Sequence, residues 1–331
     1  MPEVGLLIFL ISISLALAYA YANGTNDAAN AIATVVSTRS MTPPAAVMMG
    51  AVFNMLGALT GTAVAKTIGK GIVRPEEINE YTVMAAIAAS VLWVLLSTRY
   101  GFPVSVSHSL VASLVGATIA SAGPSAVIFS GFIKVVIALA ISPIAGFFLG
   151  FAGMVVLYRL LWRSSPAMMR KVFIPLQIVA GAFMAYSHGK NDAQNAMGVM
   201  ALAAAVYYTQ DLQVDLWMVL ASATAIGFGT ALGGRRVITT LGLRITKLEP
   251  IHGFAASTAA AGVIEAASHI GLPVSTTHTA SGAIMGVGAT RRLSAVRWGV
   301  TKGIVLAWLV TYPVCFVLAL TLSFIFELAF V

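Results

Sequence analysis

Charge is what this chain has least of: only 9% of its 331 residues are Asp, Glu, Lys or Arg, against 59% apolar. A soluble domain carries about 25% charged residues, so the deficit argues against a water-soluble enzyme or nucleic-acid-binding module. The net charge of +8 does not point to nucleic acid either. Its basic residues fall in short clusters between apolar runs, as in the cytoplasmic loops of membrane proteins. Cysteine is nearly absent: Cys315 stands alone in an apolar segment, which excludes an internal disulfide and argues against a cysteine-based metal site. No H-E-x-x-H is present, nor any His pair at metal-ligand spacing on one helix, which argues against an intramembrane hydrolase. The residues ahead of the first apolar run, Pro2 and Glu3, lack the basic flank of a signal peptide, so residues 4–22 are expected to stay as a membrane helix.

What the chain does have is long apolar runs. A membrane helix needs about 20 mostly apolar residues. Candidates fall at 4–38, 45–65, 81–98, 104–120 and 126–161, then at 174–204, 216–233, 251–270, 274–289 and 298–329. The first run in each set is interrupted by a polar stretch, at 23–27 and at 188–192. Two sets of five in the same order read as an internal repeat. Asn26-Asp27 recurs 165 residues later as Asn191-Asp192. Pro103-Val104-Ser105-Val106-Ser107-His108 recurs 170 residues later as Pro273-Val274-Ser275-Thr276-Thr277-His278, and Pro143 and Pro313 share that second offset. The expected fold is an all-α polytopic membrane protein with two repeats, 1–162 and 174–331, joined by a basic cytoplasmic linker at 163–173.

Loop charge sets the orientation. Arg159, Arg163, Arg170 and Lys171 place the linker inside, as do Arg235, Arg236, Arg244 and Lys247, then Arg291, Arg292 and Arg297. The loop carrying Asp211 and Asp215, and both termini, come out external. An odd number of crossings per half then makes the repeats inverted, as in many secondary transporters. The pairs 81–98/104–120 and 251–270/274–289 are either full crossings or re-entrant hairpins. The short P-V-S-x-[ST]-H connection favours hairpins.

The polar stretches carry the chemistry. G-x-N-D-A-x-N occurs at 24–30 and at 189–195, at a depth where polar groups are expensive and mark a substrate or ion path. If the helices break there, Asn26 and Asn191 cap new ones, while Pro103 and Pro273 begin the hairpin helices. Four helix N-termini would then converge near the midplane, where free N–H groups and the helix dipole favour an anion. Ser105, Ser107, Ser275, Thr276 and Thr277 add hydroxyl donors suited to a tetrahedral oxyanion. Asp27 and Asp192, with Asn26, Asn30, Asn191 and Asn195, offer hard oxygen ligands for a small cation such as Na⁺; a proton on an aspartate would serve the same electrostatic purpose. The residues therefore predict cation-coupled oxyanion transport. The competing reading is that Asp and Asn merely cap and pack broken helices.

These motifs, with Ile245-Thr246-Lys247-Leu248-Glu249-Pro250-Ile251-His252-Gly253-Phe254-Ala255-Ala256 and Ser281-Gly282-Ala283-Ile284-Met285-Gly286-Val287-Gly288-Ala289-Thr290-Arg291-Arg292, resemble the PiT inorganic phosphate transporters nearly end to end. The resemblance implies symport of inorganic phosphate with Na⁺ or H⁺ across the cytoplasmic membrane, helical hairpins and a homodimer, with no enzyme activity and no further cofactor. It makes Asn26, Asp27, Asn191 and Asp192 the cation site and brings the Ser/Thr residues of the P-V-S segments to phosphate. Sulfate symport is the nearest alternative; a passive anion channel stands further off. Two departures stand out: Ser257 where many bacterial relatives have an acid, and Lys190 where relatives have a small residue. Lys190 either meets the anion or pairs with an acid. His108 and His278 either donate to the anion or hold the hairpin tips. His188 and His252 read as structural, and Glu265 and His269 as an i, i+4 pair.

Overall fold

The computed structural model describes residues 2–233 and 245–330. Eleven α-helices lie among them: α1 (Pro2–Ser37), α2 (Pro43–Ala58), α3 (Ala63–Lys70), α4 (Glu80–Tyr100), α5 (Val106–Ala122), α6 (Phe129–Leu160), α7 (Pro166–Tyr208), α8 (Leu216–Leu232), α9 (Pro250–His269), α10 (Thr276–Ala289) and α11 (Trp298–Phe330). Among the described residues five are long and apolar enough to cross a membrane, six if the α2–α3 pair, bent by 71°, counts as one span. Leu and Ile side chains such as Ile133, Ile137, Ile141, Leu306 and Leu309 stand exposed on α6 and α11, as lipid-facing surface requires. The protein is a multi-pass helical membrane protein. The basic group Arg235, Arg236 and Arg244 lies outside the described residues.

The elements start where local chemistry allows. Ser165 caps α7, its Oγ accepting from the Met168 N–H at 3.3 Å, with Pro166 in the first turn. The connection between α6 and α7 is 161–165, and Arg170 and Lys171 belong to α7. The Asn79 side chain caps α4 by accepting from the Thr82 N–H at 3.0 Å.

The pairs α4–α5 and α9–α10 are helical hairpins. At 14 residues, α10 spans about 21 Å, short of the ~30 Å hydrocarbon core. The two tips also meet: Ser107 Oγ donates to the Val274 carbonyl at 3.2 Å. Each hairpin turns at a glycine with positive φ, Gly101 (74°) and Gly271 (72°), a conformation that side chains with a Cβ resist.

The halves interlock. Helix α5 packs on α11, and α10 packs on α6. Gly116 lies under the Phe316 carbonyl and Gly286 under the Phe147 carbonyl, and small residues allow such close approach between membrane helices.

One expectation fails here. Helices α1 and α7 run unbroken through 23–27 and 188–192. The glycines of the two motifs serve packing instead: Gly24 sits against the Ile226 carbonyl of α8, and Gly189 against Asn54 of α2. Among the described residues two helix N-termini, those of α5 and α10, begin at the central tips, where four were expected.

Candidate functional site

The asparagines of the motifs fasten the hairpins. Asn26 Nδ2 donates to Thr98 Oγ1 (2.8 Å) and to the Phe102 carbonyl (3.4 Å). Asn191 Nδ2 donates to Ser268 Oγ (2.8 Å) and to the Leu272 carbonyl (3.3 Å), and its Oδ1 accepts from the Val274 N–H. Each therefore pins the hairpin of its own half, at matching positions. The second asparagines cross over. Asn30 Nδ2 reaches Thr277 Oγ1 at 3.0 Å and Thr276 Oγ1 at 3.4 Å in the second hairpin, and Asn195 Nδ2 reaches Ser107 Oγ at 3.0 Å in the first.

Both aspartates gather at the second tip. Thr277 Oγ1 donates to Asp27 Oδ1 at 2.8 Å, while Thr276 Oγ1 lies 3.2 Å from Asp27 Oδ2 and 3.0 Å from Asp192 Oδ2. A hydroxyl has one hydrogen, so Thr276 serves one carboxylate at a time. His188 stands between the acids, its Nε2 3.3 Å from Asp192 Oδ2 and 3.7 Å from Asp27 Oδ2. Nδ1 of the same ring meets Asn54 Oδ1 at 2.7 Å, and Asn54 Nδ2 donates to Thr230 Oγ1 at 2.7 Å. Because the Asn54 amide nitrogen is committed to Thr230, its oxygen faces the histidine, and Nδ1 carries the hydrogen. Nε2 is thereby turned to the two acids.

All three side chains are buried, and buried carboxylates must be matched by positive charge or hydrogen bonds. One ligand atom from each of Asp27, His188 and Asp192 lies within 4.8 Å of the others. Asp192 Oδ1, Asn30 Oδ1 and Asn195 Oδ1 are buried without a hydrogen-bond partner, which such oxygens rarely tolerate. Carboxylate and amide oxygens of this kind suit a hard cation, so the residues fit one.

The other expected residues divide. Ser105 and Ser275 are helix caps, each Oγ accepting from a backbone N–H, of His108 and His278, at 3.2 Å. The rings of His108 and His278 pack on each other with centroids 4.7 Å apart, and His278 stacks on Trp308 at 3.8 Å. Ser107 faces the second tip. Lys190 forms an ion pair with Glu265; that replaces the expected Glu265–His269 pair and commits the ammonium to an acid. Sequence reasoning missed His188 and Asn54. An i, i+4 spacing from His188 to Asp192 would have put them on one face of a helix, but a helix broken at 188–192 hides that relation. Asn54, set in an apolar run, carries no such signal.

Two interlocked halves, hairpin tips that meet, and acids from both halves converging on one tip are the architecture of a helical membrane transporter. A sequence model described as "Phosphate transporter family" matches residues 23–319. A Bacillus subtilis (strain 168) protein named "Probable low-affinity inorganic phosphate transporter" is 41% identical over 99% of this chain and 100% of its own length. A Rhizobium meliloti (strain 1021) protein of the same name is 42% identical over 88% of each chain. The solved structure of a protein described as "The sodium-dependent phosphate transporter" superposes with a TM-score of 0.88 at 26% identity, covering 97% of this chain and 99% of that one. The chain belongs to the phosphate transporter family.

Proposed function

We propose that this protein carries inorganic phosphate inward across the cytoplasmic membrane together with a cation, Na⁺ or H⁺. The observation that carries the reading is the meeting of Asp27 and Asp192, one from each half, at Thr276 and Thr277. An anion rests beside two buried carboxylates only where positive charge is also present, and a cation bound with it would supply that charge. The cation lies among Asp27, Asp192, Asn30 and Asn195, and phosphate takes hydroxyls at the facing tips, with Ser107 the first of them. Sodium finds support in the likeness to a transporter described as sodium-dependent. The repeats are residues 1–162 and 174–331, with the termini outside.

Access alternates as the two hairpins shift against α1 and α7, whose asparagines hold them. The test is labelled-phosphate uptake into proteoliposomes under imposed Na⁺ or H⁺ gradients, with sulfate as competitor. Asp27→Asn and Asp192→Asn, each alone, are expected to abolish gradient-driven uptake. Undiminished uptake in both variants would overturn the coupling.

A further inference from the structure

We infer that the chain holds a second anion site, apart from the paired aspartates: a basic cavity at the C-terminal end of α1 that takes a phosphate group. The cavity has a volume of about 960 Å³ and is bounded by the end of α1, the α6–α7 connection, the start of α9 and the segment after α10. Five cationic side chains line it, Arg39, Arg170, Lys247, Arg291 and Arg297, against the single carboxylate of Glu249. Glu249 is paired with Arg291. Arg39, Arg170 and Lys247 pair with no carboxylate among the described residues. A cleft walled by one sign of charge focuses its field and concentrates counter-ions. Arg39, with a φ of 57°, sits in the left-handed turn that ends α1.

The cavity is joined to the centre by side chains of one helix face. Asp27, Asn30, Thr34 and Thr38 follow each other at helical spacing, from the acid cluster to the cavity wall, where Ser37 and Thr38 sit. Midway, Thr34 Oγ1 meets Ser257 Oγ at 2.9 Å and accepts from Gln177 Nε2 at 3.0 Å. All three side chains are buried, and Gln177 Oε1 has no partner. The other half lacks this track: the positions of α7 that match Thr34 and Thr38 are Val199 and Ala203. Of these matched positions only those on α1 are polar, and they lead to the end that loop charge places in the cytoplasm. Ser257 lies on this track and brings no negative charge that would repel a departing anion.

Free phosphate leaving the centre and the headgroup of an anionic lipid present the same chemistry to these cations. Naming the free anion rests on the phosphate-transport reading, whereas the affinity for a phosphate group does not. The test uses the full chain in phosphatidylcholine nanodiscs and measures equilibrium binding of labelled inorganic phosphate at fixed ionic strength. Asp27→Asn with Ser107→Ala takes a cation ligand and the first phosphate hydroxyl from the central site and is expected to leave a weak, saturable class. Adding Arg170→Gln and Lys247→Gln should weaken that class roughly tenfold, as expected for losing two nearby charges in a partly wet cleft. Arg170→Lys with Lys247→Arg, which keep the charge, should preserve it.

A parallel arm uses phosphatidylglycerol nanodiscs. If the headgroup occupies the cavity, the weak phosphate class disappears there, and native mass spectrometry finds retained lipid that the Gln variants lose. Either pattern supports the site and names its source. Binding that the Gln substitutions leave unchanged, or no weak class and no retained lipid in either membrane, overturns it. A failure of the coupling reading shows separately, as uptake insensitive to Asp27→Asn.

Discussion

Replacing Gly189 by alanine puts the role of Asn54 and His188 to a quantitative test. A Cβ built on Gly189 would lie 2.6 Å from the Asn54 carbonyl carbon and 2.7 Å from its Cα. Carbon atoms sit comfortably about 3.5–4.0 Å apart, so α2 and α7 must separate by about 1 Å. The bond from His188 Nδ1 to Asn54 Oδ1, now 2.7 Å, would stretch to about 3.7 Å, which is no hydrogen bond. Overpacking of this kind destabilises by about 1–3 kcal/mol, and a lost buried hydrogen bond adds about 1 kcal/mol. The imidazole is then free to turn away from the acids, and uptake should fall at least about tenfold. The assay pairs thermal unfolding in nanodiscs with phosphate uptake. Gly153→Ala is the control: its Cβ meets nothing within 4 Å, and alanine favours the helix by about 0.5–1 kcal/mol. Asn54→Ala removes the same bond without crowding, so it should lose uptake with the smaller loss of stability. A Gly189→Ala protein that melts and transports like the parent would refute the packing argument and the orienting role together.

Thr277→Val keeps the volume but takes the donor from Asp27 Oδ1 and from Asn30 its nearer partner. With a charge-assisted bond worth about 1.5–3 kcal/mol, uptake should drop by tenfold or more, whereas Thr224→Val on the exposed face of α8 should leave it unchanged. Lys190→Met strands a partly buried Glu265 and should lower stability by about 1–2 kcal/mol, between the surface and buried limits; adding Glu265→Met should restore most of it in a double-mutant cycle. Burial pushes the Glu249 carboxyl up, but the hydrogen bond and charge of Arg291 outweigh this and hold it below the usual carboxylate range. A carboxylate held low stabilises the fold above its unfolded pKa of about 4.3 and loses that contribution as pH falls through the lowered value. Melting measured between pH 6 and pH 3 should therefore flatten at the acid end in Glu249→Gln.

The helix positions and the turns between α4 and α5 and between α9 and α10 are legible because apolar runs and repeated P-V-S motifs report directly on burial and turns. The breaks were misread because Gly24, Asn26, Gly189 and Asn191 look like helix interruptions when only local propensity is weighed. Their partners are distant: the glycines admit neighbouring backbones, and the asparagines give their amide hydrogens to hairpin tips. Tertiary contacts override propensity in such cases. Ser105 and Ser275 show the reverse, since local capping claims hydroxyls that composition alone would offer to a ligand. Pairing across the halves, as in Asn30 with Thr277, leaves no trace in spacing, because it depends on how the repeats clasp.

That clasp bears on how the chain is assembled. Because α5 rests on α11 and α10 on α6, neither half can complete its own folding without the other's last helix. A cut in the 161–165 connection should therefore yield two fragments that are each unstable alone yet recover transport when made together in one cell.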